Sequence, residues 1–184
     1  MLPFASFEQA LPYADFLAAH GTPADRDRWD RSRAVVRLTA EQTALLKSFT
    51  RTTNVLLLAG AWCGDCADNC PIFEAFAAAA PLLKVKYLDR DAHPDAQREL
   101  QINGGNRVPV AVFFSEDGQE VARYGERTLT AYRKMAGQLG GEACGTGIAG
   151  GDHLAGVAAD WLREVERVQY VLRLSPRLRR VHGD

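Results

Sequence analysis

The stretch Trp62-Cys63-Gly64-Asp65-Cys66 lies between two segments of different pattern. Residues 55–61 read Val-Leu-Leu-Leu-Ala-Gly-Ala and predict a buried β-strand, whereas residues 67–80 predict a helix. Cys63 is therefore expected at the amino end of a helix, where unpaired N–H groups and the helix dipole stabilise a thiolate. A cysteine there has a lowered pKa and reacts as a nucleophile. Because Cys66 is near enough to attack a mixed disulfide formed by Cys63, the pair predicts a dithiol/disulfide couple.

Composition and charge narrow the classes of protein to which the chain can belong. Its 184 residues, 47% hydrophobic and 24% charged, are typical of one globular domain with additions. A net charge of −1 argues against a general affinity for nucleic acid or an anionic membrane. Residues 1–21 lack the pattern of a signal peptide, and no apolar run approaches membrane length. With four cysteines, the sequence favours a reducing compartment, and we expect a cytoplasmic protein that binds neither nucleic acid nor membrane.

The first segment, residues 1–34, predicts a peripheral helical extension. Thr22-Pro23 supplies an N-cap followed by proline at the first helical position. The mixture of aspartates and arginines that follows is typical of a solvated face, with Trp29 as its anchor.

The second segment, residues 35–140, alternates helices and strands and predicts the main domain. Thr39 begins a helix with a capping box, and the cysteine-bearing strand and helix come next. The remaining elements are predicted as strands over 83–89, 108–114 and 120–124, a short helix over 95–102 and a last core helix over 128–139.

The last two segments are a glycine-rich linker and an amphipathic helix. The linker, residues 141–151, contains a formal G-x-G-x-x-G over 145–150, but no strand precedes it, so we do not expect a dinucleotide site. Residues 152–184 carry apolar side chains at three- and four-residue steps and predict a helix that docks on this domain or on another subunit. The basic end, Arg173 to Arg180, is expected to be solvated and frayed.

The Trp-Cys-x-x-Cys element, Pro71 five residues after Cys66, the order of elements and the pair Val108-Pro109 together resemble thioredoxin. The similarity covers about residues 35–140. It implies an α/β thioredoxin-like fold with a central mixed β-sheet, helices on both faces and helical extensions at each end. It also implies thiol–disulfide exchange on a protein or small-molecule disulfide, with a reducing dithiol partner and no cofactor.

The resemblance implies a role for each residue of the site. Cys63 attacks the substrate, Cys66 resolves the mixed disulfide, and the two form the redox-active disulfide Cys63–Cys66. Pro109 is expected in cis beside Cys63, where it positions substrate. Trp62 shields the site and Gly64 permits the tight turn.

Three positions depart from the thioredoxin pattern. Asp65 stands where thioredoxin has proline, and its charge is expected to raise the pKa of the thiols and to select substrates. Leu57 stands where thioredoxin has the buried acid that moves the proton of the resolving cysteine, and Tyr87 stands where it has the accompanying lysine. The chain therefore resembles a divergent bacterial thioredoxin-like family with an aspartate between its cysteines.

Two other interpretations of the sequence remain open. In one, the protein is a metal-binding module that uses Cys63, Cys66, Cys70 and Cys144, although buried core packing is the simpler interpretation of Cys70. In the other, the fold is an interaction scaffold that captures a partner, or forms a homodimer, through its C-terminal helix.

Overall fold

The computed structural model describes residues 1–139 and 152–184. The helices are α1 (Ala5–Gln9), α2 (Tyr13–His20), α3 (Pro23–Val35), α4 (Ala40–Lys47), α5 (Gly64–Ala79), α6 (Pro94–Glu99), α7 (Leu129–Leu139), α8 (His153–Arg173) and α9 (Pro176–His182). The strands are β1 (Thr53–Ala59), β2 (Leu83–Asp89), β3 (Val110–Ser115) and β4 (Glu120–Gly125). The predicted linker, with its glycine motif and Cys144, lies outside the described residues.

The four strands form one mixed sheet in the order β2-β1-β3-β4. β1 pairs parallel with β2 and antiparallel with β3, and β3 pairs antiparallel with β4. All seven residues of β1 are buried, as expected for a central strand whose two faces are both covered. The fold class predicted from the sequence is therefore confirmed: a thioredoxin-like sheet flanked by helices.

The two faces of the sheet carry different helices. Tyr87 and Tyr124 lie on one face, where Tyr87 contacts α5 and the ring of Tyr124 packs edge-on against Trp161 of α8, 5.1 Å away. The opposite face carries Phe114, whose ring is 5.5 Å from that of Phe4. The core is thus built in three layers, with the sheet in the middle.

The sequence pattern suggested that the N-terminal segment is peripheral, but in the structure it belongs to the core. Leu11 forms an antiparallel bridge with Tyr87 at the free edge of β2, so the segment extends the sheet. Trp29 and Phe16 are fully buried, and the Trp29 indole donates to the carbonyl of Ala61 at 2.8 Å. The predicted start of α3 is confirmed, because the Thr22 side chain and that of Asp25 form a capping box.

The C-terminal helix also belongs to the core of its own chain. Seven apolar side chains of α8 are buried there: Val157, Ala158, Trp161, Leu162, Val165, Val168 and Leu172. Its apolar face is therefore covered without a second subunit. The basic end is not frayed, since it forms α9 with Leu178 buried and with Arg177 paired to Asp117.

The prediction that residues 128–139 form a core helix is confirmed for the helix and wrong for its burial in the core. The helix forms, as α7, but none of its eleven residues, all of them described, is buried. Among the described residues, no helix is long and apolar enough to cross a membrane.

Candidate active site

The dithiol lies where β1 turns into α5. The strand ends at Ala59, and Cys63 is the N-cap residue of the helix, with its backbone N–H donating to the carbonyl of Gly60 at 3.0 Å. A Cβ atom at Gly60 would lie 2.8 Å from the ring of Trp62, so only glycine lets the indole fold back over the turn. The local sequence thus places Cys63 at the amino end of the helix, as predicted.

The two thiols differ in their access to solvent. Cys63 is half-buried and its sulfur lies 3.9 Å from the carbonyl oxygen of Val108, whereas Cys66 is fully buried one turn into the helix. The backbone N–H of Gly60 donates to the Cys66 sulfur at 3.5 Å. A substrate disulfide can therefore reach Cys63 first.

Both thiols hold their protons more tightly than a free cysteine does. The hydrogen bond between the two thiols is the main cause of a raised pKa at Cys63, and burial adds to it. Burial is the main cause of a raised pKa at Cys66, and the hydrogen bond of Cys66 to Cys63 lowers this pKa in part. The sequence-based expectation of a lowered pKa at Cys63 is wrong for the reduced pair, because the helix N-terminus is outweighed by the neighbouring thiol and by desolvation.

The Val108-Pro109 peptide bond is cis, and the pair lies against Cys63 through the Val108 carbonyl. Gly64 has neither a left-handed φ nor any atom within 4 Å of a Cβ added to it. The turn therefore does not require glycine at position 64, contrary to the role expected from the sequence.

Trp62 is held at the rim of the site by polar neighbours. Its side chain remains 46% exposed, and the guanidinium of Arg90 lies 4.6 Å from the centre of its ring. The indole N–H donates to Asp91 at 3.1 Å, and Arg28 donates to the Trp62 carbonyl at 3.3 Å. These contacts fix the orientation of the indole at the turn.

The charge of Asp65 is paired. Arg127, which follows β4 some sixty residues later in the sequence, forms a salt bridge with the Asp65 carboxylate. Arg127 also pairs with Glu126 at 3.0 Å, and Glu126 in turn lies 3.6 Å from Arg107. Asp65 still contributes to the raised pKa of Cys63, but less than the neighbouring thiol and burial do. Its influence is therefore limited by a partner that no local pattern in the sequence indicates.

Below the dithiol, the position of the missing acid is apolar. Leu57 is fully buried and pairs in register with Tyr87 of β2. The Tyr87 hydroxyl lies 2.7 Å from the carboxylate of Glu74 and 3.3 Å from the carbonyl of Cys70. Glu74, which lies on α5 and not on β1, is thus an acid near this face of the sheet. Burial raises the pKa of Glu74.

Asn69 connects the turn that holds the dithiol to the C-terminal helix. Its amide nitrogen donates to the carbonyl of Asp65 at 2.7 Å, and its amide oxygen accepts from the indole of Trp161 at 2.7 Å. Trp161 is fully buried, with its ring 4.9 Å from that of Phe73. The sequence identified Trp161 only as part of an amphipathic face and contained no signal for this connection.

Cys70, the third thiol of the metal-binding interpretation, lies in the core beside Cys66. Cys70 is fully buried in α5 and forms a hydrogen bond with Cys66, which influences the pKa of the Cys66 thiol. Within residues 1–139 and 152–184, no group of three or more His, Cys, Asp or Glu side chains is arranged to hold a metal ion.

Comparison with known proteins adds the family. A family model described as thioredoxin matches residues 11–138, which is more than half of the chain. The chain belongs to the thioredoxin family. The match begins at residue 11, so the family domain includes most of the N-terminal segment, in agreement with the bridge between Leu11 and Tyr87.

Two curated members of the thioredoxin family resemble part of the chain. The thioredoxin of Chlamydia muridarum (strain MoPn / Nigg) is 39% identical over 62 residues, and that of Chlamydia trachomatis serovar D is 32% identical over 62 residues. Each alignment covers 34% of this chain and 57% of the relative, so the chain spans little more than half the length of the curated relatives it matches.

One solved structure extends the comparison to the whole fold. A protein of unknown function from Pseudomonas aeruginosa superposes with a TM-score of 0.68 at 19% identity, covering 94% of this chain and 98% of that chain. At this identity the likeness shows the fold alone. Because nearly all of both chains is matched, the shared fold includes most of the terminal helices.

Proposed function

We propose that this thioredoxin-family protein is a thiol–disulfide oxidoreductase that uses Cys63 and Cys66. The observation that carries the proposal is the unequal access of two neighbouring thiols: Cys63 is half-buried at the amino end of α5, and Cys66 is fully buried beside it. A dithiol of this kind can form a mixed disulfide at one sulfur while the other remains a thiol.

In the first step, the Cys63 thiolate attacks one sulfur of the substrate disulfide. A bond forms between that sulfur and Cys63, the substrate S–S bond breaks, and the second substrate sulfur leaves as a thiolate that takes a proton from water. The free N–H groups at the start of α5 stabilise the attacking thiolate. Because the pKa of Cys63 is raised in the reduced pair, the attack should accelerate as the pH rises.

In the second step, Cys66 loses its proton and attacks Cys63. The mixed disulfide breaks, the substrate leaves as its second thiol, and the protein keeps the Cys63–Cys66 disulfide. The substrate has gained two electrons and the protein has lost them. A second dithiol, which is the reducing partner, returns the protein to its starting state by the reverse exchange.

The two carboxylates nearest to Cys66 in the sequence are engaged with other groups. Asp65 is paired with Arg127, and Asp68 lies 3.4 Å from the hydroxyl of Ser32. Burial raises the pKa of Cys66, so we expect resolution to be the slower step near neutral pH, with water as the proton acceptor.

The proposal includes a protein or small-molecule disulfide as substrate and a reducing compartment such as the cytoplasm. In that setting the pair is reduced between turnovers. The support is chemical: a dithiol that reduces its substrates needs a reductant to return it to the dithiol state after each turnover.

The proposal is tested by the reduction of insulin disulfides with dithiothreitol as the electron source. Wild-type protein should accelerate the reaction, Cys63→Ser should abolish the acceleration, and Cys66→Ser should react once and stall. Cys144→Ser serves as the cysteine control and should retain activity. Loss of activity in the control, or full activity in Cys63→Ser, would contradict the assignment.

A further inference from the structure

Helix α7 carries a row of exposed apolar side chains. Leu129 is 49% exposed, Tyr132 and Met135 are each 43% exposed, and Leu139 is 81% exposed. Their spacing of three, three and four residues places them along one face of the helix. We call this row the α7 stripe. A helix with so strong an apolar face is normally buried against its own sheet, so its exposure needs an explanation.

The apolar side chains of α7 are exposed because α8 covers the part of the sheet against which α7 would otherwise pack. Trp161 of α8 packs edge-on against Tyr124 of β4, and α7 packs mainly against α8. The backbone N–H of Thr130 donates to Asp160 at 2.7 Å, which fastens the start of α7 to α8. A Cβ added to Gly156 would lie 2.9 Å from the Thr130 side chain, which shows how closely the two helices approach. The α7 stripe is left on the opposite side.

The α7 stripe is continuous with the dithiol through a chain of contacts. The Cys63 sulfur lies 3.9 Å from the carbonyl of Val108, and the next residue back along the chain is Arg107. Arg107 lies 3.6 Å from Glu126, whose carboxylate accepts from the hydroxyl of Tyr132 at 3.2 Å. This chain of contacts leads from Cys63 by way of Arg107 and Glu126 to Tyr132 of the α7 stripe.

The exposed charges on and beside the α7 stripe are cationic, whereas Asp65, which is 39% exposed at the dithiol, is paired with Arg127. The carboxylates of Asp65 and Glu126 are both held by Arg127, and Glu126 is buried. Arg107 has 54% of its side chain exposed, and Arg133 on α7 is also exposed. This arrangement is complementary to an acidic partner.

The size of the stripe favours a transient partner. Four side chains are far fewer than the 20–30 residues a side of a stable interface, which buries about 1,600 Å² in total. A second copy of this chain, held only by this stripe, would not form a lasting dimer. We propose that the α7 stripe, with Arg107, docks a protein disulfide substrate that carries apolar and acidic side chains near its disulfide.

This inference rests on the proposed function, and the experiment separates the two. Pre-reduced protein is mixed with one of three disulfides: a neutral small one, bis(2-hydroxyethyl) disulfide; a disulfide-bonded peptide with leucine, phenylalanine and two aspartates beside its cystine; and the same peptide with lysines for the aspartates. Acid quench and mass spectrometry give the second-order rate constant of oxidation. No reaction with the neutral disulfide would overturn the proposed function itself.

The test variant combines Leu129→Ser and Met135→Ser. The matched control combines Val171→Ser and Leu174→Ser, which are 47% and 68% exposed on and after α8, away from the stripe. The stripe variant should lose about tenfold in rate constant with the acidic peptide, which corresponds to about 1.4 kcal/mol, and should keep its rate with the small disulfide. The control should keep both rates, and circular dichroism should show all proteins folded.

The charge part of the inference is tested with Arg107→Gln. Wild-type protein should prefer the acidic peptide to the basic one by about tenfold at low salt, and Arg107→Gln should reduce that preference to about threefold or less. Equal rates of the stripe variant and wild type with the acidic peptide would overturn the inference. So would size-exclusion chromatography in which wild type is a dimer and the stripe variant a monomer, because a second copy would then be the occupant.

Discussion

The contact between Trp161 and Asn69 makes the C-terminal helix part of the support of the dithiol, and Trp161→Phe measures its contribution. The substitution removes the indole N–H, which leaves the buried Asn69 oxygen without its 2.7 Å donor and should cost about 1–3 kcal/mol. It also removes two ring carbons from a fully buried site, which adds about 1.5 kcal/mol. We therefore expect the free energy of unfolding to fall by about 2.5–4.5 kcal/mol.

The assay is urea unfolding followed by circular dichroism, with the change read from the midpoint at an unchanged slope. Tyr170→Phe is the control, because Tyr170 lies on the same helix and is 59% exposed; its effect should stay within about 0.5 kcal/mol. Asn69→Ala and the double variant complete a cycle, in which the two changes should couple by more than about 0.5 kcal/mol. A loss below 1 kcal/mol in Trp161→Phe, or strict additivity in the cycle, would refute the reasoning.

The remaining predictions concern the ionisation of the thiols. Asp65→Asn should lower the pKa of Cys63, since a nearby negative charge is removed, and Arg127→Gln should raise it, since the partner of that charge is lost. Thiolate absorbance titrations check both variants, and pKa shifts of the same sign in the two would contradict this expectation. Resolution of a mixed disulfide by Cys66 should accelerate about tenfold per pH unit from pH 6 to 9, because its thiolate is the reacting form; a rate that is flat across this range in quenched-flow mass spectrometry would mean that an internal base exists.

The sequence predicted the fold where the pattern was local. The strand, turn and helix around Cys63 are determined by neighbouring residues, and so are the N-cap at Thr22 and the capping box at Thr39, which the structure confirms. The thioredoxin family and the mixed sheet followed from the same stretch together with Val108-Pro109.

The errors arose where distant segments compete for the same surface. Periodicity identifies the apolar faces of α7 and α8 equally well, but it does not say which helix covers the sheet, and Trp161 takes that place. Removing residues 152–184 should therefore unfold the domain rather than release a partner. For this reason, the deletion of these residues does not test the scaffold interpretation. The pairing of Asp65 with Arg127 could not be predicted from a local pattern either, because about sixty residues separate the two in the sequence.

The most direct test of the central claim is a trapping experiment on the reduced protein. Cys66→Ser and Cys63→Ser are each mixed with bis(2-hydroxyethyl) disulfide and alkylated after acid quench, and peptide mass spectrometry locates the mixed disulfide. The account predicts a stable adduct on Cys63 in Cys66→Ser, and in wild type a Cys63–Cys66 disulfide with no lasting adduct. An adduct that forms on Cys66 as fast as on Cys63, or a wild-type disulfide that uses Cys70 or Cys144 instead, would contradict it.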